Sequence, residues 1–321
     1  MKSVQLSKNT NVPPIALGTW SWGTGEAGGN TVFGNQLTEA DLQPVFDAAM
    51  NAGLWLWDTA AVYGMGSSES ILGSFAKQHD AVLISTKFTP QIAGDHDNAM
   101  EELLEQSLER LHVDHADIYW IHNPADVKRW TPQLIPLMKS GKVRHVGVSN
   151  HNLDEIKLAA SILAEEGLRI SAVQNHYSLL YRSSEKAGII DYCTENDIVF
   201  FSYMVLEQGA LTDKYSAQNP LPSGTRRGEA FGPDRLAKLE SLIHVMREIG
   251  SKYSASVAHI AIAWAIGKGT VPIIGVTKTS HVEDAVKAIE ITLTTDDITK
   301  LQIAAEETDV EVPGEWEKAM H

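Results

Sequence analysis

Asp58 and Tyr63 close the stretch LWLWDTAAVYG, a carboxylate and a phenol five residues apart behind a short aliphatic and aromatic run. Leu54-Trp55-Leu56-Trp57 suits a buried strand. Polar groups delivered where such a strand leaves the core stand where α/β folds carry chemistry. On this stretch alone, a capping Asp and a half-buried Tyr explain the pattern equally well. Two further apolar runs tip the balance: Ile84-Ser85-Thr86 ends on Lys87, and Ile118-Tyr119-Trp120-Ile121 ends on His122. A lysine closing an apolar run is costly unless paired, and Asp58 is its natural partner. A phenol with a pKa of about 10 is a poor acid at neutral pH. A neighbouring ammonium favours the phenolate and is expected to lower that value towards the working range. His122 can hydrogen-bond a carbonyl oxygen, while Asp58 keeps Lys87 charged and in place. Four groups able to protonate and polarise one oxygen point to reduction of a carbonyl, or its reverse.

For these residues to meet, their strands must lie side by side. Strand ends at Asp58, Lys87, His122, Ser149, Gln174 and Ser202 are separated by 29, 35, 27, 25 and 28 residues. Each interval holds one strand, one helix and a return. The 73 residues from Ser202 to Gly275 hold a Gly-, Pro- and Arg-rich loop (216–233) and helical patterns at 234–250 and 256–266. With Ile15–Thr19 in front and Val271–Ile274 behind, eight parallel strands are expected. The helix over 97–112 has the clearest apolar face, and Thr38-Glu39-Ala40-Asp41 reads as a capping box. Residues 1–14 read as a hairpin plugging one end, and further helices open after Ser280 and Thr294. The sequence therefore predicts a closed (β/α)8 TIM barrel with an N-terminal hairpin and extra C-terminal helices, as one domain over residues 1–321.

The net charge of −15, with no Lys/Arg run, argues against nucleic acid or an anionic membrane as partner. The only cysteine, Cys193, excludes an internal disulfide and a cysteine-rich zinc site, and it reads as structural. The start lacks the apolar stretch of a signal peptide, and the longest apolar run, 257–266, is too short to span a bilayer. A cytoplasmic setting is expected.

At this point a resemblance enters. Asp58-Thr59-Ala60-Ala61-Val62-Tyr63-Gly64, followed by Gly66-Ser67-Ser68-Glu69, resembles the D-T-A-x-x-Y-G-x-G-x-S-E stretch of the aldo-keto reductases. Ser85-Thr86-Lys87 and Ile121-His122-Asn123-Pro124 are similar to that family's lysine and histidine segments. Gly147-Val148-Ser149-Asn150 and Val173-Gln174-Asn175 are similar to its nicotinamide-amide segments. The resemblance implies a reductase of aldehydes or ketones using NADPH without a Rossmann domain, with Asp58, Tyr63, Lys87 and His122 catalytic and Tyr63 the proton donor. It implies that Ser149, Asn150 and Gln174 hold the carboxamide and that Tyr203 stacks on the nicotinamide. Thr19, Trp20, Leu206, Gln208, Gly209, Gly275, Val276, Thr277, Lys278 and His281 are further implied cofactor contacts. Three departures stand out: Met204-Val205 stands where the family's Y-S-P-L has Ser-Pro after the tyrosine, His281 stands where arginine is frequent, and Ala285 stands in place of the adenine-binding asparagine. Arg226 and Arg227 in the long loop could supply the missing charge by folding over the cofactor. Alternatives are an NADPH-binding regulatory subunit that senses redox state and an NAD-dependent sugar or polyol dehydrogenase.

Gly23-Thr24-Gly25-Glu26-Ala27-Gly28 formally satisfies G-x-G-x-x-G, but no strand–turn–helix context surrounds it, so it reads as a flexible rim loop. His112, His115 and His122 straddle a helix end and a strand and predict no metal. Trp20 and Trp22 either line a substrate pocket or pack the barrel mouth, with at least one expected in the pocket. Trp130 and Trp316 are weaker substrate candidates.

Overall fold

The computed structural model describes residues 3–314 and 320. Strands β1 (Val4–Ser7) and β2 (Thr10–Val12) form an antiparallel hairpin with Val4 opposite Val12. The next eight strands, β3 (Ala16–Gly18), β4 (Leu56–Asp58), β5 (Leu83–Phe88), β6 (Ala116–Ile121), β7 (Val143–Ser149), β8 (Ile170–His176), β9 (Val199–Tyr203) and β10 (Val271–Gly275), pair in parallel. They run in chain order around a closed barrel, with β10 returning to β3. The expected (β/α)8 architecture is therefore what the chain adopts, hairpin included.

Alternation along each strand sends side chains to two different cores. Leu56, Ile118, Trp120, Ala172, Phe201 and Val271 fill the barrel interior, and Leu6 and Val12 of the hairpin seal its floor. Residues of the opposite parity, such as Trp57, Tyr119 and Val173, pack outwards against the helices. The helices start where the sequence supplies caps. Thr38 and Asp41 satisfy each other's backbone N–H at the start of Glu39–Asn51, and Asn152 with Glu155 does the same for Leu153–Ala164. Thr294 and Asp297 open Thr295–Glu307 in the same manner. No helix among the described residues is long and apolar enough to cross a membrane.

Three local expectations are corrected. The helical pattern over 234–250 is two helices, Pro233–Lys238 and Glu240–Tyr253. The Arg-rich loop contains a short helix, Arg226–Ala230, capped by Thr225. The glycine-rich rim is not free of helix: Gly29–Val32 forms one turn, folded so tightly on Ser21 that a Cβ at Gly29 would lie 2.2 Å from the Ser21 carbonyl oxygen. Being a rim segment of a closed barrel, this loop is no dinucleotide fingerprint. Cys193 is buried, and burial pushes its thiol up to about 12, as suits a structural residue.

Candidate active site

The register of β4, β5 and β6 brings Asp58, Lys87 and His122 to one rim. Asp58 is the last residue of β4, Lys87 lies near the end of β5, and His122 follows β6 directly. Tyr63 reaches the same spot because the chain turns back just beyond β4. That turn needs glycine at position 64, where φ is 56° and a Cβ would meet Ser67 Oγ at 2.2 Å.

The fully buried Lys87 ammonium donates to Asp58 Oδ2 at 2.5 Å, to the Thr59 carbonyl at 2.7 Å and to Tyr63 Oη at 3.2 Å. Three donors meet three acceptors, so this charge is completely satisfied. Because the phenolic oxygen accepts from Lys87, the proton of Tyr63 is directed away from the lysine. Asp58 is braced from its other side: Oδ1 accepts from Ser85 Oγ at 2.6 Å and from Gln174 Nε2 at 3.1 Å. Trp120 Nε1 in turn donates to Ser85 Oγ at 2.6 Å from within the barrel. Ser85, Trp120 and Thr89 escaped the sequence reading. The signal for Ser85 was present, since it sits two residues before Lys87 and so on the same face of β5.

Burial acts against the Lys87 charge, yet Asp58 and Tyr63 outweigh it and hold the lysine above its ordinary pKa. Tyr63 is shifted upwards too. Desolvation of its hydroxyl is the larger influence, Lys87 opposes it and Asp58 reinforces it. The expected lowering is thus overturned: the lysine limits the rise without reversing it, and the phenol stays protonated. Burial and the Lys87 charge push His122 well below the ordinary histidine range, so its ring is neutral. Its Nδ1 lies 2.9 Å from Thr89 Oγ1, and its ring meets that of Tyr63 edge-on at 5.8 Å.

Around this centre the aromatic candidates separate. Trp20 stacks on Tyr63 at 5.8 Å, its indole nitrogen donates to the Ala27 carbonyl at 3.1 Å, and Phe33 abuts it at 5.3 Å. Trp22 does not line a pocket. It is buried between Trp57 and Phe75 and donates to the Val276 carbonyl at 2.6 Å, because the chain after β3 turns it into the outer core. Trp130 is likewise a wall residue, packed on Phe88 at 4.8 Å with the Arg129 guanidinium over its ring at 4.2 Å. Trp316 lies outside the described residues.

The residues expected at a nicotinamide occupy the adjoining rim. Buried Ser149 ends β7 with buried Asn150 just beyond it, buried Gln174 lies two residues before the end of β8, and Tyr203 ends β9. Asn150 donates to the His122 carbonyl at 2.8 Å and accepts from Tyr203 Oη at 2.6 Å, linking this patch to the catalytic candidates. Thr19 is buried and bonded to Ser68 Oγ at 2.8 Å, which places it under the rim. The loop after β9 carries left-handed backbone at Met204, Glu207, Gln208 and Gly209, and it brings Leu206 beside the outer core. Gly275 ends β10 exposed, and beyond it the Thr277 N–H donates to His281 Nδ1 at 3.2 Å and exposed Lys278 precedes a helix, Thr279–Ile289. Burial lowers the His281 pKa, Asp284 opposes the shift, and Lys278 and Lys214 add to it, so the balance favours the neutral ring. Arg227 lies 5.9 Å from the Phe33 ring and 5.7 Å from the Tyr215 ring, so the Arg-rich loop already meets the glycine-rich rim.

With this geometry in place, the comparisons are specific. The model of the Aldo/keto reductase family matches residues 14–306. The chain is 33% identical to the chloroplastic pyridoxal reductase of Arabidopsis thaliana, over 93% of this chain and 84% of that protein. It is 26% identical to the aldo-keto reductase yakc of Schizosaccharomyces pombe, whose name carries NADP(+), over 94% of this chain and 91% of that one. In fold it superimposes on the glycerol dehydrogenase of Gluconobacter oxydans with a TM-score of 0.82, at 23% identity and 96% coverage of each chain. The chain belongs to the aldo-keto reductase family and is an NAD(P)H-dependent oxidoreductase acting on carbonyls and alcohols.

Proposed function

We propose that the protein reduces aldehydes or ketones with NADPH, with Tyr63 as the proton donor. The observation that carries the reading is the orientation of Tyr63: Lys87 holds the phenolic oxygen from behind, leaving its proton for an oxygen in the cleft. When bound, NADPH supplies hydride to the carbonyl carbon. The residues present fit such a cofactor. Tyr203 offers a partly exposed ring at the rim, and Gln208 Oε1 and Arg227 Nε are buried with no hydrogen-bond partner. A nucleotide lying across this rim would satisfy groups whose isolation is otherwise costly. Ser149, Asn150 and the remaining amide oxygen of Gln174 would hold the carboxamide. Lys278, Arg226 and Arg227 would meet the adenosine 2′-phosphate, a group that NADPH carries and NADH lacks.

In the reaction, the neutral ring of His122 orients the carbonyl oxygen, provided Thr89 donates its hydroxyl proton to Nδ1 and leaves Nε2 carrying hydrogen. Tyr63 passes its proton to that oxygen as negative charge develops, and the fixed Lys87 ammonium stabilises the phenolate left behind. Asp58 keeps Lys87 aimed. Trp20, stacked on Tyr63, gives the cleft an aromatic wall suited to planar substrates. Together with the name of the Arabidopsis relative, that makes pyridoxal and benzaldehydes the first compounds to try.

Consumption of NADPH and NADH with a panel containing pyridoxal, a nitrobenzaldehyde and an aliphatic ketone tests the reading. Tyr63→Phe should abolish turnover and leave NADPH affinity within about twofold. Full turnover by that variant would remove Tyr63 from its role. Tight NADPH binding without turnover of any carbonyl would favour the redox-sensing alternative.

A further inference from the structure

Behind Tyr203 lies a buried acid–imidazole pair that the reaction above does not use. His176, the last residue of β8, is wholly buried between two aromatic rings, Tyr181 at 4.4 Å and Tyr203 at 5.5 Å, both nearly parallel to it. Its Nε2 lies 2.8 Å from Glu207 Oε1, and Glu207 is equally buried. Ser178 Oγ donates to the same carboxylate oxygen while accepting the N–H groups of Leu180 and Tyr181 at 3.1 and 3.0 Å. The second carboxylate oxygen of Glu207 has no hydrogen-bond partner. A carboxylate so placed is expensive, and a plain structural brace would be served as well by an uncharged amide.

Its position suggests what the charge is for. Glu207 sits in the left-handed run of the loop after β9, with φ of 46° at Glu207 and 55° at Gln208. The bonds to His176 and Ser178 pin this strained run to the end of β8 and the turn that follows it. From the cleft inwards the order is the outer face of Tyr203, then His176, with Glu207 at the edge of the imidazole.

We propose that His176 and Glu207 are a positioning pair for the nicotinamide: His176 supports the Tyr203 platform from behind, and the Glu207 carboxylate favours the positively charged oxidised ring over the reduced one. This rests on the reading that the nicotinamide stacks on Tyr203. With aromatic rings spaced about 4.5–7 Å apart, the carboxylate lies roughly 10 Å from that ring. At an effective dielectric constant of about 20–40, one charge at that distance changes affinity by about four- to fifteenfold, and only for the charged form.

The test is binding of NADP+ and of NADPH, each by titration calorimetry, to the full chain and two variants. Glu207→Gln should raise the Kd of NADP+ by about four- to fifteenfold and leave that of NADPH within about twofold. His176→Gln keeps a donor to Glu207 and loses the stacked ring, so both Kd values should rise by the same factor. Equal weakening of both nucleotides by Glu207→Gln, or no change in either, would overturn the pair's electrostatic role. A skewed ratio in His176→Gln matching that of Glu207→Gln would overturn it as well. If the unmodified chain binds neither nucleotide, the nicotinamide reading itself fails, and the pair's role with it.

Discussion

Replacing Lys87 by methionine separates what the lysine does for the fold from what it does for chemistry. The ammonium lies 3.2 Å from the Tyr63 oxygen and 2.5 Å from Asp58. At an effective dielectric constant of about 20, a unit charge at the first distance stabilises a phenolate by about 5 kcal/mol, the upper end of what the reaction can lose. Since general acid groups contribute about 10²–10⁴ in rate, kcat for Lys87→Met should fall by that range. Stability should fall for a different reason. Asp58 would remain buried with its cation gone, and breaking a buried pair from one side costs about 3–5 kcal/mol. The double variant Lys87→Met/Asp58→Asn removes the stranded charge and should recover most of that stability while staying inactive. NADPH consumption under saturating aldehyde and urea denaturation measure the two quantities independently. Turnover of the single variant within tenfold of the parent, or turnover regained by the double variant, would refute the assignment.

Three further outcomes are expected. Because Tyr63 is shifted upwards by desolvation, reduction should be flat through neutral pH and fall only as pH rises through that raised value, whereas alcohol oxidation, which needs the phenolate, should climb over the same range; a pH–rate profile of each direction checks the sign. Ser85→Ala strands the buried Trp120 indole N–H and should cost about 1–3 kcal/mol, part of which Ser85→Ala/Trp120→Phe restores in denaturant titrations. Burial acts to raise Asp297, but bonds from Lys252, Tyr253 and Thr294 hold its carboxyl far below the usual range. Its contribution is then present above the unfolded value of about 4 and lost as pH falls through the folded one, so Asp297→Asn should flatten the acid limb of the stability curve.

Much of this was legible from the chain because parallel strands covered on both sides are continuous apolar runs, and their ends carried the chemistry. The strand bearing Asp58 stops on that residue, and those bearing Lys87 and His122 stop within a residue or two of them. What escaped depended on which way a side chain turned or on distant partners. Trp22 and Trp20 are two residues apart beside a strand end, and nothing local says that one faces Tyr63 while the other is drawn into the outer core by the Val276 carbonyl, 254 residues away. The one-turn helix at Gly29–Val32 has no helical period to read, since close approach of Gly29 to Ser21 creates it. Likewise the direction of the Tyr63 shift follows from desolvation, which no motif encodes.

The hairpin beneath the barrel has a mechanical corollary. Leu6 and Val12 belong to the same apolar cluster as Trp120, whose indole donates to Ser85, which in turn donates to Asp58. The plug at one end of the barrel is thereby joined through packed side chains to the carboxylate at the other, so loosening the hairpin would slacken the brace on Asp58 as well as the floor.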